Sequence, residues 1–330
     1  MKLGQTIHGY TVVTRPSNAN AGKCLWAFAE KDGDEYFIKE FLDPKIPRPD
    51  GMGSKEDKER RFAECKRFAA RHEHVMELLP ADHEDAGNLV LSVDFFADGT
   101  RYYKVTPRVN ATEAMPHELE PRTQLVLIRT LTDSLRLLHS AGIVHGDLKP
   151  ENVLLAKPRQ GPLLIAKLID FDDAYPAGEP PPREAIGGNP LYGAPEWLSY
   201  LRGGRDASSL GRAVDMFAFG LLVHTYLFGA PPEHGSAHDS PAAAVLDGAP
   251  LGWDPRIGGR LRQLLTALTS AEPHARPDIR TVAKLFSAAD ILTAGEEPVR
   301  TSASSSRVRV NVGGGRPSSA RLRINLTNDN

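Results

Sequence analysis

Cysteine, net charge and long apolar runs are all scarce in this sequence. Its two cysteines, Cys24 and Cys65, are too few for a disulfide scaffold and lack the spacing of metal ligands. The 40 Lys and Arg residues oppose 42 Asp and Glu residues, so the formal charge of -2 favours neither nucleic acid nor an anionic membrane as a partner. The most apolar stretch, residues 216–232, is too short to span a membrane, and the first residues lack the apolar run of a signal peptide. We expect a cytoplasmic protein with no nucleic-acid or membrane partner.

The composition, with 41% hydrophobic and 25% charged residues, is sufficient for a sizeable folded core. Within the first hundred residues, short segments rich in β-branched or aromatic residues are separated by Gly, Asn and Asp; they lie at 10–14, 25–30, 36–41, 89–95 and 102–106. One helix is predicted among them, at about 55–71, because Phe62, Cys65, Phe68 and Ala69 follow a helical period. This pattern predicts a five-stranded sheet with one helix.

Beyond residue 121 the pattern becomes helical. Apolar residues keep a helical spacing from Leu125 to Leu138, and Gly142 marks the stop. Further helices are predicted at 196–201, 213–228, 260–269 and 279–288. The expected fold class is therefore α+β, with a small β-rich part followed by a larger helical part.

Four parts of the chain follow from these patterns: an extension at 1–9, an amino-terminal lobe at about 10–107, a carboxy-terminal lobe at about 108–292, and a Ser/Arg-rich tail at 293–330. The tail contains a near-repeat, RVRVNV at 307–312 and RLRINL at 321–326, in which apolar and polar residues alternate as in a half-buried strand. We expect the tail to be either disordered or a short β-hairpin, whose strands could pair with a partner.

The segment 145–152, HGDLKPEN, carries three polar residues of different chemistry on one loop. Asp147 can accept the proton of an attacking hydroxyl, Lys149 can neutralise charge on a transferring phosphoryl group, and the amide oxygen of Asn152 can ligate Mg²⁺. A strand-like segment follows and ends in Asp170, and an aspartate at the end of a strand is well placed to hold a metal. Together these residues favour phosphoryl-transfer chemistry.

These segments resemble the catalytic and magnesium loops of protein kinases, His-Arg-Asp-x-x-x-x-Asn and Asp-Phe-Gly. Upstream, YFIK at 36–39 resembles the strand with the phosphate-binding lysine, which implies that Lys39 holds the α- and β-phosphates of ATP. Glu64, on the predicted helix, is the expected ion-pair partner of Lys39. The resemblance is to the eukaryotic-like, bacterial-type Ser/Thr protein kinases, and it implies a two-lobed fold, protein substrates, and ATP with Mg²⁺ or alternatively Mn²⁺.

The family signature continues downstream in the same order: APE at 194–196, DMFAFG at 215–220 and PHARP at 273–277. In the family, the late arginine pairs with the glutamate of Ala-Pro-Glu. The resemblance therefore implies a buried ion pair between Arg276 and Glu196, and a structural role for Asp215 at the start of its helix. It covers residues 10–290.

The nucleotide-binding segments follow the family less closely. The resemblance implies that the hinge around Val105 to Val109 offers backbone hydrogen bonds to adenine, although Pro107 cannot donate one. Over the phosphates the family has Gly-x-Gly-x-x-Gly-x-Val, whereas residues 17–24 read SNANAGKC and keep only Gly22. Because Ser and Ala lack the access of glycine to positive φ, we expect slower catalysis or weaker ATP binding, without loss of either.

Gly146 replaces the arginine that in the family gathers a phosphate added to the activation segment. Between Asp170 and Glu196 the only hydroxyl residues are Tyr175 and Tyr192. Both the phosphate receptor and a ready acceptor are thus missing, and we predict an activation segment that is held without phosphorylation.

Two more departures lie near the predicted site. Asp172 stands where the magnesium loop has glycine, and it could either join the metal shell or restrict the swing of Phe171. Asn189 replaces a threonine that in Ser/Thr kinases contacts the catalytic aspartate and lysine, and its amide could reproduce one such hydrogen bond.

Two other functions fit parts of the sequence. HGD at 145–147 and IDFD at 169–172 resemble small-molecule phosphotransferases of the aminoglycoside or choline kinase type, but those enzymes lack the downstream series present here. A pseudokinase scaffold that acts through its tail is the non-enzymatic alternative, and the degenerate glycine loop favours it. A protein kinase that phosphorylates Ser/Thr hydroxyls accounts for the largest number of motifs.

Overall fold

In the computed structural model, the amino-terminal lobe is built on a six-stranded antiparallel sheet with the strand order β1-β2-β3-β4-β6-β5. The structure describes residues 1–19, 22–48, 50–79, 87–158, 161–288 and 291–292. All of them belong to one unit, Met1–Glu296. The strand bounds are β1 Thr6–Ile7, β2 Tyr10–Val12, β3 Cys24–Lys31, β4 Asp34–Phe41, β5 Asp94–Asp98 and β6 Arg101–Pro107.

Two tight hairpins order this sheet. β1 and β2 are joined by His8 and Gly9, with φ of 51° and 87°, and β3 and β4 by Asp32 and Gly33, with φ of 54° and 89°. Positive φ at both central residues is the type I′ turn, whose twist matches that of the flanking strands. Because β1 pairs with β2, part of the predicted extension at 1–9 joins the sheet, which therefore has six strands and not the five predicted.

The predicted strand at 89–95 is partly wrong. Only its last residues belong to β5, while the preceding residues run along the other lobe, where the Val90 N–H donates to the Leu168 carbonyl at 2.9 Å. Leu89 and Leu91 are buried in the large core of that lobe. Extended backbone with buried apolar residues gives the same sequence pattern in a connection between lobes as in a strand.

Helix α1 (Lys55–Leu78) is longer than predicted and packs one narrow face on the sheet. It starts at Ser54, whose hydroxyl accepts the Asp57 N–H at 3.1 Å and satisfies an otherwise unpaired donor. Its buried residues are Cys65, His72 and Val75. Phe62, which the helical period placed on the inner face, is 48% exposed, because the buried stripe begins one turn later.

The carboxy-terminal lobe contains the remaining helices: α2 Pro121–Ser140, α3 Pro195–Leu201, α4 Ala213–Phe228, α5 Pro241–Leu246, α6 Gly259–Leu268 and α7 Ile279–Phe286. Leucines of α2, α4 and α6 contribute to the large core, together with aromatic residues of α3 and α4 such as Trp197, Phe217 and Phe219. α4 is buried almost all round and ends at Gly229, which adopts φ 84° as a left-handed cap. Its bounds match the predicted 213–228, whereas α5, a short Ala-rich helix, was not predicted.

Short strand pairs place the loops of the site. β9 (Val153–Ala156) lies between β7 (Ala111–Thr112) and β10 (Ile165–Leu168), and β8 (Ile143–Val144) pairs with β11 (Tyr175–Pro176). Val153 faces Leu168 across the antiparallel pair of β9 and β10. The residues that precede β9 and those that follow β10 therefore meet at one end of this hairpin.

No helix within the described residues is long and apolar enough to cross a membrane. The tail at 293–330, with its two predicted strands, lies outside the described residues.

Candidate active site

A buried carboxylate fixes the loop between β8 and β9. The backbone N–H groups of His145 and Gly146 donate to the two carboxylate oxygens of Asp215 at 2.8 and 3.1 Å, and His139 Nε2 donates to the same carboxylate at 2.9 Å. Burial alone would raise the pKa of Asp215, but the hydrogen bond and charge of His139 outweigh it and lower that pKa. Asp215, which was predicted to be structural, thus fixes the backbone of the catalytic loop at His145 and Gly146.

Asp147 lies on this loop with its two carboxylate oxygens in different surroundings. Oδ2 accepts Lys149 Nζ at 2.6 Å and Asn152 Nδ2 at 2.9 Å. Oδ1 is buried and has no hydrogen-bond partner among the described residues. A buried carboxylate oxygen without a donor is the group expected to accept a hydroxyl proton from a substrate.

One side-chain and one backbone hydrogen bond join the magnesium loop to the catalytic loop. His145 Nε2 donates to the Ile169 carbonyl at 3.0 Å, and the Ile169 N–H donates to the Asn152 carbonyl at 2.9 Å. The next residue, Asp170, has φ 61°, a left-handed conformation uncommon for aspartate. The turn directs its carboxylate to Lys39 on β4, whose Nζ donates to both oxygens at 3.0 and 3.1 Å.

The structure therefore brings together the predicted set of Lys39, Asp147, Lys149, Asn152 and Asp170. Burial and the nearby carboxylate of Asp172 raise the pKa of Asp170, against the opposing effect of Lys39. Two acids and two cations thus lie where strand β4 meets the loops that flank β9 and β10, at the position where the family resemblance implies an ATP cleft.

Asp172 takes two lysines as partners. Its Oδ2 accepts Lys39 Nζ at 2.5 Å, and its Oδ1 accepts Lys104 Nζ at 2.7 Å. Burial opposes ionisation of Asp172, but Lys104 and Lys39 outweigh it and hold the pKa of this carboxyl well below its usual range. Asp172 is thus an ionised bridge between strands β4 and β6.

The predicted pair of Lys39 and Glu64 does not form. Glu64 lies on the exposed face of α1, and the carboxylates that contact Lys39 among the described residues are those of Asp170 and Asp172. The reason is the rotation of the helix: Cys65 and Phe68 face the sheet, where Phe68 packs on Phe41, and this orientation directs Glu64 to solvent.

Arg71 and His72 are the polar residues that α1 presents to this cluster. Arg71 donates to the backbone carbonyl of Asp172 at 3.2 Å. His72 is buried, and its burial together with the charge of Lys104 keeps its pKa well below the usual range, so the ring is neutral. The helix supplies a cation and a neutral imidazole at the place where a carboxylate was expected.

Gly146 has no room for a side chain. Its φ is 79°, and a Cβ atom there would lie 2.7 Å from the Asp173 carbonyl oxygen and 3.0 Å from the ring of Tyr175. Tyr175 is fully buried beside it on β11. An arginine before Asp147 would collide with this strand, so the packing accounts for the departure from the family pattern.

Aromatic residues of α3 hold the activation segment. The indole N–H of Trp197 donates to the Gly187 carbonyl at 2.9 Å, and its ring lies so close to Gly188 and Gly193 that a Cβ at either would come within 3.0 Å. Tyr200 donates its hydroxyl to the Pro181 carbonyl at 3.2 Å. These contacts join the activation segment to α3 through side-chain packing.

Asn189 acts within the segment and not on the catalytic residues. Its Oδ1 accepts the Leu191 N–H at 2.8 Å, and its backbone carbonyl accepts the N–H groups of Tyr192 and Gly193. The sequence suggested that the Asn189 amide could reproduce a hydrogen bond that the family threonine makes to the aspartate or lysine of the catalytic loop. No such hydrogen bond from Asn189 to Asp147 or Lys149 is present among the described residues.

Glu196 and Arg276 form the expected buried ion pair. The guanidinium donates to both carboxylate oxygens at 2.7 and 2.8 Å, and both side chains are fully buried. Arg276 also donates to the Ala213 carbonyl at 2.7 Å and packs over Phe217. This link ties the end of the activation segment to α4, next to the anchor Asp215.

The hinge differs in part from the expectation. Val105 is a buried strand residue of β6, and its carbonyl accepts the Val93 N–H at 2.9 Å, so its backbone contact with adenine stays a prediction. The Arg108 N–H donates to the Glu35 carbonyl at 3.0 Å. The connection between the lobes starts after Pro107, which leaves Val109 as the predicted hinge residue that lies beyond the sheet.

The loop over the phosphate position keeps one predicted residue, Gly22, which is exposed with φ 54°. The ring N–H of Trp26 donates to the Ala19 carbonyl at 3.0 Å, and Ser17 pairs with Trp26 through two backbone hydrogen bonds. Residues 20 and 21 of this loop lie outside the described part of the chain.

Asp170 and Asn152 are the residues that fit a magnesium ion. Asn152 uses its Nδ2 to hold Asp147, which leaves the amide oxygen as its ligating group. Within the described residues, no group of three or more His, Cys, Asp and Glu side chains could hold a metal by itself. Mg²⁺ commonly takes one or two protein ligands and completes its shell with phosphate and water oxygens, so this set suits a metal that arrives with a nucleotide.

Sequence reasoning missed Lys104 and left the role of Asp172 open between the metal shell and a restraint on Phe171. A signal was present: a lysine interrupts the apolar and aromatic run 102–105 at a buried position, and buried lysines need a partner. Lys104 stands directly opposite Lys39 in the pairing of β4 and β6. Two adjacent inward lysines require a carboxylate between them, and Asp172 supplies it.

Comparison with known proteins agrees with this geometry. A family model described as protein kinase domain matches residues 20–285. A serine/threonine-protein kinase of Drosophila persimilis is 28% identical over 211 residues, 62% of this chain and 25% of the relative. A probable serine/threonine-protein kinase of Dictyostelium discoideum is 31% identical over 181 residues, 53% of this chain and 29% of the relative.

The chain thus spans between about a quarter and three tenths of the length of these relatives. The family model, however, covers most of the chain, and it includes Lys39, the catalytic loop, the magnesium loop and Arg276. The chain therefore belongs to the protein kinase family, and the relatives that it resembles are serine/threonine kinases.

Proposed function

We propose that the chain transfers the γ-phosphoryl group of ATP to Ser or Thr hydroxyls of protein substrates. The observation that carries this proposal is the asymmetry of Asp147: one oxygen is held by Lys149 and Asn152, and the other is buried with no partner among the described residues. Such a carboxylate orients an incoming hydroxyl and accepts its proton.

The remaining roles follow from position. Lys39 holds the α- and β-phosphates, and Asp170 with Asn152 holds Mg²⁺, which supplies charge neutralisation at the phosphate oxygens when bound. The substrate hydroxyl, oriented by Asp147 Oδ1, forms the new bond to the γ-phosphorus while the bond to the β-phosphate oxygen breaks and ADP leaves. Lys149, 2.6 Å from Asp147, steadies the negative charge of the transferring group. For adenine, the Val109 N–H is the proposed backbone donor.

We further infer that activity does not require phosphorylation of the activation segment. The supporting observations are the contacts of Trp197 and Tyr200, which hold the segment without a phosphate, and the absence of Ser and Thr from residues 171–195. Tyr192, one of the two hydroxyl residues there, is buried and its hydroxyl is hydrogen-bonded with that of Thr225 at 2.9 Å.

Several finer assignments remain predictions from the sequence. They are the bacterial-type character, the cytoplasmic location, the absence of nucleic-acid and membrane partners, the preference for Mg²⁺ over Mn²⁺, and a partner for the tail strands. Both cysteines, Cys24 and Cys65, are free and buried, which is compatible with a reducing compartment.

A transfer assay with radiolabelled ATP tests the activity. Wild type and Asp147→Asn are compared with casein and myelin basic protein as acceptors, and with an aminoglycoside and choline as small-molecule acceptors. We expect label on protein, and a loss of about 10²–10⁴-fold in Asp147→Asn with ATP binding retained, because Asp147 orients the hydroxyl and does not hold the nucleotide. Label only on small acceptors would favour a small-molecule phosphotransferase, and ATP binding without transfer would favour a pseudokinase.

Phosphatase treatment tests the second inference. Treated and untreated protein should have the same rate, with mass spectrometry to show that no phosphate remains on residues 171–195. A rate that vanishes on treatment and returns after autophosphorylation would contradict a segment held by packing.

A further inference from the structure

Lys39 requires a carboxylate partner that stays in place when a metal is bound. Asp170 contacts Lys39 now, but Asp170 is also the residue proposed to ligate Mg²⁺, and a metal-bound carboxylate has less charge to offer the lysine. The second carboxylate at Lys39 belongs to Asp172, whose Oδ2 lies 2.5 Å from Nζ.

Asp172 is not available to the metal. Lys39 occupies one of its oxygens and Lys104 the other, at 2.5 and 2.7 Å, and Arg71 donates to its backbone carbonyl. Carboxylates that bridge two ammonium groups are strongly held, because each hydrogen bond is charge-assisted. The sequence left two roles open for Asp172, a place in the metal shell or a restraint on Phe171. Its contacts with the two lysines disfavour the place in the metal shell.

Helix α1 offers no substitute among the described residues. Its acidic side chains are exposed or lie in the first turn: Glu56, Asp57, Glu59, Glu64, Glu73 and Glu77. The side chains that it turns toward Asp172 are Arg71 and the neutral His72. The expected arrangement of charges is thus reversed. The magnesium loop supplies the carboxylate of Asp172, and helix α1 supplies the cation Arg71 and the neutral ring of His72.

The pairing of strands β4 and β6 also favours a carboxylate at the position of Asp172. Lys39 and Lys104 stand opposite each other on β4 and β6, with side chains on one face. Two like charges at directly opposed positions destabilise a sheet unless an anion lies between them. Asp172 is that anion, and Lys104 fixes its carboxylate at the position from which it reaches Lys39.

We propose that Asp172 is the positioning residue that aligns Lys39 for the nucleotide phosphates, in place of a carboxylate from helix α1. This inference rests on the proposed function of the cleft. It implies that the alignment of Lys39 depends on the magnesium loop and on Lys104, and that a movement of α1 does not by itself uncouple the lysine.

Two matched substitutions test the proposal: Asp172→Asn and Glu64→Gln. Each replaces a carboxylate by an amide of the same size, one on the magnesium loop and one on the helix. We expect Asp172→Asn to lower kcat/KM for ATP about tenfold or more, with the KM for the protein acceptor unchanged, because a buried charge partner of Lys39 is lost. Glu64→Gln should stay within about two-fold of wild type, as an exposed charge does. The reverse order of the two effects, or wild-type kinetics in Asp172→Asn, would overturn the proposal.

A third variant separates positioning from folding. Asp172→Asn alone leaves Lys39 beside an unpaired Lys104, whereas Asp172→Asn with Lys104→Met removes an acid and a base together. We expect the double variant to unfold near the wild-type temperature and to keep the defect in kcat/KM for ATP. Recovery of wild-type kinetics in the double variant would show that the unpaired Lys104, and not the loss of Asp172, caused the defect.

The Mg²⁺ dependence and direct binding complete the test. If Asp172 positions Lys39, the Mg²⁺ concentration for half-maximal rate stays unchanged in Asp172→Asn, whereas a rise of about tenfold or more, the size expected for a disturbed metal shell, would assign Asp172 to the metal instead. Binding of a fluorescent ATP analogue by the same variants distinguishes the proposed kinase activity from the proposed role of Asp172. Absence of transfer in wild type would refute the proposed activity, while weaker nucleotide binding in Asp172→Asn than in Glu64→Gln would still support the role of Asp172.

Discussion

The two sides of the cleft hold their charged residues over very different distances along the chain. On the side formed by the loop between β8 and β9, the lower side, Asp147 is hydrogen-bonded to Lys149 and Asn152, which lie two and five residues away. On the side formed by Lys39 of strand β4, the upper side, the partners of the lysine lie 131 and 133 residues away. The lower side keeps the Asp, Lys and Asn of the family pattern, whereas the upper side keeps the lysine and exchanges its partner. Partners within one loop are brought close by the loop itself, while an ion pair between distant elements can be supplied from either of them.

The buried link between Arg276 and Glu196 gives the largest expected effect, and it tests whether a long-range pair on the lower side is replaceable too. Arg276→Met leaves the Glu196 carboxylate buried and unpaired, which should lower the free energy of unfolding by about 3–5 kcal/mol. Urea unfolding measures it. The control is Arg205→Met, whose partner Glu272 lies at the surface, and there the loss should stay below about 1 kcal/mol. Equal losses in the two variants would contradict the importance of burial.

Asp215→Asn loosens the lower side while the upper side stays intact. One of the two oxygens that accept the loop N–H groups becomes an NH₂ group, so the catalytic loop shifts and kcat should fall about 100-fold, the effect expected for a displacement of about 1 Å. KM for ATP should change little, because Lys39 and Asp172 are untouched. Steady-state kinetics check both values, with Asp133→Asn, which removes a surface partner of Arg136, as the control. A raised KM with unchanged kcat would show that the two sides are coupled.

Gly146→Ala tests the steric reason for the glycine before Asp147. The added methyl group would meet the Asp173 carbonyl oxygen at 2.7 Å, and overpacking of this kind costs about 1–3 kcal/mol. The matched control is Gly161→Ala, since Gly161 also has positive φ, 94°, but no described atom lies within 4 Å of the position that its added methyl group would take. The difference between their unfolding free energies isolates the collision from the backbone strain. No difference would mean that the neighbouring strand yields without cost.

The pH dependence of stability gives the smallest effect. Burial and then the Asp147 carboxylate raise the pKa of Asp173 to about 6 from its usual value of 3.8. The fold therefore favours the protonated acid, and the stabilisation present below pH 3.8 is lost as the pH rises through about 6. Asp173→Asn stays neutral, so without nucleotide and metal it should gain on wild type across this window, to about 1–2 kcal/mol at pH 7 after allowance for partial exposure. Urea unfolding from about pH 4.5 to 7.5 measures the gain, and a gain independent of pH would contradict the assignment.

The parts of the fold that the sequence predicts well are those that depend on patterns among neighbouring residues. Helix α4 was bounded correctly because its residues are apolar on all sides and Gly229 ends it. The loop at 145–152 could be predicted as a catalytic loop because its three candidate residues lie within six positions. The pair of Glu196 and Arg276, 80 residues apart, came from the family resemblance, since no spacing rule connects such positions.

The parts that failed depend on how distant elements meet. The inner face of α1 could not be read from its period, because polar residues occupy most of the helix and the buried stripe includes His72 in place of Phe62. The expected partner Glu64 was wrong for the same reason. The role of Asp172 depends on Lys104, which becomes its neighbour only after β6 has paired with β4. The connection at 89–93 resembled a strand because the other lobe buries it.

The contact of Trp197 with the activation segment gives the protein a built-in optical probe. Its indole ring lies against the backbone of Gly188 and Gly193 and is hydrogen-bonded to Gly187, so its emission reports whether the segment is seated on α3. The other two tryptophans, Trp26 and Trp253, lie in the amino-terminal sheet and near His224. With those two replaced by Phe, the fluorescence lifetime of Trp197 would follow the seating of the segment in real time, with no dye attached.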